Sequence, residues 1–391
     1  EMKQISSEKR PIKIWTDYIE EGALKQAKHL ANLPFTYKHV ALMPDVHQGY
    51  GMPIGGVLAT KGVIIPNAVG SDIGCGMCAI KTSLTEIDKK ILEKVIKEVK
   101  QVIPVGKKSH KEKQDKNLMP KLDPYYFYCD FDNIVANEFE NALYQLGTLG
   151  GGNHFCEFQK GSDNHIWIMI HSGSRNLGNK VARYYNDLAV KFNERWFSQV
   201  PKEWELAFLP SGTKEAQIYF DEMSYCIQYA FQNRKLMMNR VCEILEKYTK
   251  CSFEPMINIA HNYVALENHF GKNVWVHRKG ATQAKKGQIG IIPGSQGTNS
   301  YIVEGLGNPE SFLSCSHGAG RILGRKQAKK ELDLKKEINN LNKKGIIHFI
   351  KTKEDLDEAP SAYKNIDKVM ENQKDLVKPV VKLQPLAVIK G

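Results

Sequence analysis

Residues 314–321 read SCSHGAGR and set one histidine, His317, between small residues and an arginine. Gly318, Ala319 and Gly320 leave the backbone nearly bare, as it must be where a chain closes on a ligand. Arg321 offers a planar fork suited to phosphate. No acid stands beside the histidine in sequence. Taken alone, the octapeptide reads equally well as a glycine-shaped turn around a core histidine. A second stretch, AVGSDIGCGMCAI at 68–80, holds Asp72 and Cys75 three residues apart among glycines. A carboxylate and a thiolate on one tight loop can reach a common metal ion. Cys75 and Cys78 also form a C-x2-C pair, the spacing of half a zinc site or of a redox couple. No second pair exists, and the context is not a thioredoxin-like strand-to-helix unit. Cys78 is therefore expected to pack as a small hydrophobe.

Three more histidines stand at glycine-rich or apolar edges: His154 in LGTLGGGNHFCEF, His171 in IMIHSGSRNLG and His261 in NIAHNYV. One such histidine is usually structural. Three beside Asp72 and Cys75 suggest a multidentate site, although spacing alone does not bring them together. The segment at 290–312, GIIPGSQGTNSYIVEGLGNPESF, reads as a cradle of bare amides, with Ser295 and Ser300 as extra donors. It lacks the G-x4-G-K-[ST] of a P-loop. GYGMPIGG, at 49–56, lacks the strand–helix context of a dinucleotide fingerprint.

Short apolar runs must carry these loops as strands: 166–170, 274–276 and 289–292. Between them, Val181, Tyr184, Leu188 and Phe192 share one helical face, as do Leu334, Ile338 and Leu341. The region from about 180 to 250 reads as mostly helical. HSGSRNLG at 171–178 and HGAGRILG at 317–324 share His-x3-Arg, which suggests two phosphate-facing turns. No Pro/Ser-rich linker or low-complexity segment marks a domain boundary.

The 391 residues are 42% hydrophobic and 25% charged, an ordinary globular composition. No run approaches the ~18 apolar residues of a membrane helix. The first residues lack the apolar stretch of a signal peptide. A cytoplasmic protein with no membrane partner is expected, and its eight cysteines read as reduced. The formal charge of +12 and the pI near 9.1 favour a polyanionic partner, nucleic acid first. Lysines cluster at 94–116 and 326–344. Part of that excess is solvated helix surface.

Together these residues resemble the RtcB family of RNA ligases. The resemblance runs in order through ALMPDVHQGYGMPIGG, VGSDIGCGM, LGTLGGGNHF, HSGSRNLG, AHNYV, VHRKGAT, IIPGSQGTNSYIVEGLGN, SCSHGAGR, APSAYKNID and the terminal VIKG, nearly the whole chain. It implies an α+β fold: a mixed β-sheet core with surrounding helices, a cleft built from glycine-rich loops, and one catalytic domain over 1–391. It implies two manganese ions bridged by Cys75, with His171 and His261 on one side and Asp72 and His154 on the other. His317 would be the nucleophile that carries GMP from GTP, with Arg321 stabilising the phosphate charge. Asn153, Phe155, Glu157, Pro293, Ser295, Ser300, Ala319, Gly320, Tyr363 and Lys390 would line the nucleotide pocket. There the acceptor-only carboxylate of Glu157 suits the two adjacent donors of guanine. Arg175, Arg278 and Lys279 would contact RNA phosphates. The implied partner is RNA with a 3′-phosphate or 2′,3′-cyclic phosphate end and a 5′-hydroxyl end. His47 belongs to a family motif without an assigned role. Two rival readings remain at this level: a metal-dependent RNA phosphatase or cyclic phosphodiesterase, and a non-catalytic RNA-binding protein.

Overall fold

The computed structural model describes residues 2–121 and 133–391. The fold is α+β. A six-stranded sheet runs in the order Lys3–Ile5, Ile12–Ile14, Thr36–His47, Ile54–Thr60, Lys272–Lys279, Asn262–His269. A seven-stranded sheet runs Ile257–Ala260, Gly76–Lys81, Ile166–Ser172, Phe155–Gly161, Val377–Lys390, Ser300–Gly305, Ile289–Ile292. The sheets are almost wholly antiparallel, the exception being the parallel pairing of Ile12–Ile14 with Thr36–His47. Ser314–Ser316 pairs separately with Ala281–Gln283 and carries the chain to His317.

The three expected strands are present; two extend further, as Ile166–Ser172 and Lys272–Lys279, and the third is Ile289–Ile292 as expected. Ile166–Ser172 lies between two strands with every residue buried, which explains a continuous apolar run in place of alternation. The helical region resolves into Arg175–Arg195 and Lys214–Tyr248, and the later pattern into Leu334–Lys343. On Arg175–Arg195 the deepest stripe is Leu177, Val181, Tyr185 and Ala189, while Tyr184, Leu188 and Phe192 pack at its margin. The apolar face is wider than the expected single row.

The long helix Lys214–Tyr248 holds the site from beneath. Thr213 caps its start by accepting a hydrogen bond from Ala216 N at 3.3 Å. Its first half packs on Arg175–Arg195 through Tyr219, Met223 and Tyr229. Its second half covers the seven-stranded sheet, with Met237, Met238, Val241 and Leu245 against Cys78, Cys156, Ile168 and Ile170. Each such fully buried side chain contributes roughly 1.5–3 kcal/mol.

At mid-helix, two polar residues reach into the ends of three loops. Asn233 Oδ1 accepts from Gly147 N (2.7 Å) and Thr148 N (3.1 Å), and its Nδ2 donates to Thr148 O and Gly173 O. Arg234 donates to Gly74 O at 2.9 Å, Ser172 O at 2.8 Å and Asn258 Oδ1 at 2.7 Å. Both side chains are fully buried. The loops they tie carry Asp72 and Cys75, His154, and His171. Asn233→Ala removes four buried hydrogen bonds, two from backbone amides and two to backbone carbonyls. It should lower unfolding stability by about 2–4 kcal/mol, read as a reduced urea midpoint at unchanged m-value.

Candidate active site

Cys75, His154 and His171 stand next to the ends of the strands Gly76–Lys81, Phe155–Gly161 and Ile166–Ser172. Strand pairing brings those ends together. His261 occupies the single position between Ile257–Ala260 of one sheet and Asn262–His269 of the other, and its backbone N donates to Cys75 O at 2.9 Å. Cys75 Sγ lies 3.3 Å from His171 Nε2 and 3.5 Å from His154 Nε2. His171 Nε2 is 3.3 Å from His261 Nε2, and His154 Nε2 is 3.1 Å from Asp72 Oδ2. Two groups of converging donors result, Cys75–His171–His261 and Asp72–Cys75–His154, and Cys75 belongs to both.

The donor atoms fit cations better than they fit one another. Two buried imidazole Nε2 atoms facing each other at 3.3 Å can share one proton at most, whereas a cation satisfies both lone pairs. Their far nitrogens are set to allow this. His154 Nδ1 donates to Leu149 O (2.8 Å) and His171 Nδ1 to Asn153 O (3.1 Å), leaving each Nε2 free toward the cluster. Burial, then neighbouring histidines, holds His171 and His261 well below the usual histidine range, which keeps both neutral, the form in which imidazole can bind a metal. Burial and the nearby Asp72 push the Cys75 thiol well up, with Arg234 pulling the other way. Burial tends to raise Asp72, but the bond and charge of His154 outweigh it and hold the carboxyl below its ordinary value. Cys78 lies on the opposite side of its strand, fully buried in the core with Cys156 and Ile170.

His317 has an acid partner after all. Asp45, from the MPDVH motif, is fully buried, and its Oδ2 lies 2.5 Å from His317 Nδ1. The same oxygen accepts from the backbone N of His317 (3.0 Å) and of Gly318 (3.2 Å). The loop thus wraps a carboxylate, and a Cβ on Gly320, at φ +77°, would come within 2.2 Å of Asp45 O, so the bare backbone serves Asp45 as well as the cavity that it lines. With Nδ1–H on Asp45, the Nε2 lone pair is the free one. The ring lies 4.7 Å from that of His261, centroid to centroid, which puts it beside the cluster of converging donors.

His317 opens onto a cavity of about 730 Å³. Asn153, Phe155, Glu157, Pro293, Ser295, Ala319, Gly320, Tyr363 and Lys390 line it, as does His171. Ser300 does not line it. Its side chain is buried behind the wall and accepts from Gly294 N at 3.1 Å, which shapes the loop that Ser295 presents. Burial pushes Glu157 up to about 8 against Gln159 and Lys390, which pull it down. His47 lines the same cavity, with Nδ1 at 2.9 Å from Asp45 O.

The expected phosphate-contact residues divide. Arg175 donates to Thr148 Oγ1 (3.1 Å) and Gly106 O (3.0 Å), and Asp72 is close enough to act on its charge. Arg278 is fully buried, paired with Glu267 and bonded to Ser314 Oγ and Phe312 O. Lys279 donates to Tyr50 O (2.6 Å) and Asn67 O (3.0 Å), and burial brings it down to about 7. Both lie on an inner strand covered on both faces, so neither presents its charge outward. Arg321 lines the cavity, yet its guanidinium donates to Leu323 O, Asp357 O, Tyr363 Oη and Glu358 Oε1. The two His-x3-Arg turns are accordingly unlike. Arg175 begins a long helix, whereas Arg321 forms an isolated bridge to Tyr363.

Sequence reading missed Asp45 and Glu358. Glu358 is buried and collects Arg321 (3.1 Å), Arg325 (3.0 Å), Lys390 (3.4 Å) and the Tyr363 hydroxyl. Asp45 sits inside a quoted motif, so its signal was present. Glu358 directly precedes APSAYKNID and carries no local mark of its role. The shared-sulfur geometry gives a test. Cys75→Ala should lose both equivalents of bound metal by elemental analysis, while Cys78→Ala keeps them. Wild-type metal uptake should release protons and weaken as pH falls, because the raised Cys75 thiol must ionise to bind.

Comparison with known proteins agrees with this geometry. The family model described as tRNA-splicing ligase RtcB matches residues 26–391. The RNA-splicing ligase RtcB of Escherichia coli K12 is 39% identical, covering 99% of this chain and 99% of the relative. The tRNA-splicing ligases RtcB of Nanoarchaeum equitans and Pyrobaculum aerophilum are 34% and 31% identical. The first covers 95% of this chain and 92% of the relative, the second 98% and 95%. With the match covering every residue of the two donor groups, the chain belongs to the RtcB family.

Proposed function

We propose that this chain is a GTP- and manganese-dependent RNA ligase that joins a 3′-phosphate or 2′,3′-cyclic phosphate end to a 5′-hydroxyl end, in tRNA splicing or RNA repair. The observation that carries the reading is His317, clamped at Nδ1 by a buried carboxylate and set beside a five-residue donor cluster. A phosphatase or cyclic phosphodiesterase needs the metals but not an imidazole oriented as a nucleophile. A passive RNA-binding surface needs neither.

Two divalent ions held by Asp72, Cys75, His154, His171 and His261 would supply Lewis-acid stabilisation of phosphoryl oxygens. Thiolate, imidazole and carboxylate bind zinc at least as tightly as manganese, so the choice of manganese rests on the family. In this reading His317 Nε2 attacks the α-phosphorus of GTP. An N–P bond forms, the α–β bridge breaks, and pyrophosphate leaves. Asp45 holds the Nδ1 proton and offsets the charge on the phosphorylated ring. Asn153, Phe155, Tyr363 and Lys390 would seat the nucleotide, with guanine selected by Glu157, whose buried carboxyl would ionise when the two guanine donors hydrogen-bond to it.

The RNA 3′-phosphate then takes GMP from His317, which turns an unreactive end into one with a good leaving group. Attack by the 5′-hydroxyl closes the strand and releases GMP. The junction phosphate therefore comes from the RNA, and a cyclic end must first be hydrolysed to the 3′-phosphate. Incubation with α-labelled GTP and manganese should leave an acid-labile label on the wild-type chain and none on His317→Ala. Asp45→Asn should cut the labelling rate by at least about 100-fold while retaining metal. Persistent label on His317→Ala would overturn the assignment.

A further inference from the structure

We propose that the ring of Tyr50 is a stacking platform for an unpaired base of the RNA, at the rim of the His317 cleft; the choice of RNA rests on the ligase reading above. Isolated exposed aromatics are common and usually need no explanation. Tyr50 differs in where it stands and in how it is held. It lines the cavity that contains His317, yet it is 77% exposed.

The loop beneath the ring is fixed at nearly every backbone position. Gln48 N donates to Glu20. Gly49 is gripped from both sides by Gln26, its N donating to Oε1 at 3.1 Å and its O accepting from Nε2 at 2.6 Å. Tyr50 O accepts from Met52 N (2.7 Å) and from Lys279 Nζ (2.6 Å). Gly51 N donates to Glu205 Oε2 at 3.1 Å, and at φ +64° a Cβ there would meet Glu205 O at 2.5 Å. A buried lysine and residues from distant segments thus converge on a loop whose one large side chain is left in water. A rigid aromatic face loses little entropy on stacking, and every base offers a π-face to it.

Position separates a base of RNA from the guanine of GTP. Lys279 Nζ bonds both Tyr50 O and Asn67 O, and Asn67 lies on the turn Pro66–Ala68 that leads to Asp72 and Cys75. Gln48 joins the same loop to the end of the strand Thr36–His47, which carries His47, Asp45 and the bond to His317. The ring is therefore tied to the metal-ligand side, where the RNA ends must meet. The residues assigned to the nucleotide, Glu157, Tyr363 and Lys390, come from other strands and loops.

The test measures binding, so it does not require catalysis. Short single-stranded RNAs with a terminal 2-aminopurine, at either the 5′-hydroxyl or the 3′-phosphate end, are titrated with the metal-loaded chain and with Tyr50→Ala, Tyr50→Phe and Tyr50→Trp. Stacking should quench the fluorophore at one end. Tyr50→Ala should abolish that quench and weaken binding about 5- to 150-fold, equal to the ~1–3 kcal/mol of one base–aromatic stack. The Phe and Trp variants should stay within about threefold of wild type. The slope of log affinity against log salt should not change, because the ring neutralises no phosphate. Thermal midpoint and metal content check that Tyr50→Ala is folded. Unchanged RNA affinity in Tyr50→Ala, equal losses in Ala and Phe, a loss confined to GTP, or no RNA binding by wild type would each overturn the proposal. A wild type that binds and quenches but joins no ends would instead contradict the ligase reading and leave the stacking result standing.

Discussion

The arrangement depends on one sulfur atom. Cys75 Sγ sits between His171 and His154, and through them between two sets of donors. A sulfur can occupy that point only if the ends of three neighbouring strands meet there and the two sheets change over at His261. The antiparallel pairing of Gly76–Lys81 with Ile166–Ser172 places Gly76 opposite Ser172, and Ile257–Ala260 places Ala260 opposite Gly76. Gly76 admits this crowding, since a Cβ there would lie 2.0 Å from Ile259 O.

Two buried carboxylates organise what surrounds the sulfur. Asp45 fixes the tautomer of His317 and draws the following amide toward itself, which sets the loop and the ring at once. Glu358 gathers two arginines, a lysine and a tyrosine that would otherwise repel or wander. Breaking such a buried group leaves uncompensated charges, a cost of several kcal/mol. Beneath both, Arg234 brings a buried cation near Cys75 and offsets part of the burial that raises the thiol. Positive charge close to the sulfur eases the ionisation that binding a metal there would require.

Much of the site was legible because glycine-rich runs and short apolar strands carry strong local signals. Asp72, Cys75 and the four histidines could be named from context, and the strand at 289–292 kept its bounds. The errors share a physical cause. Arg278 and Lys279 read as phosphate ligands, and the internal bonds of the cavity-lining Arg321 went unseen, because side-chain charge is visible in sequence while its internal partners are not. Glu267, Tyr50 and Glu358 are respectively 11, 229 and 37 positions away from them. Asp45 stands 272 positions from His317, beyond any local pattern. Ser300 was misplaced by one layer, since a loop's sequence does not say which hydroxyl faces the cavity and which braces the turn.

Anomalous diffraction at the manganese edge on crystals of the metal-loaded chain tests the central claim most directly. Two peaks should appear, one among Cys75, His171 and His261 and the other among Asp72, Cys75 and His154, with Cys75 Sγ within bonding distance of both. A single peak bound by all five residues, or two peaks of which only one contacts the sulfur, would contradict the account.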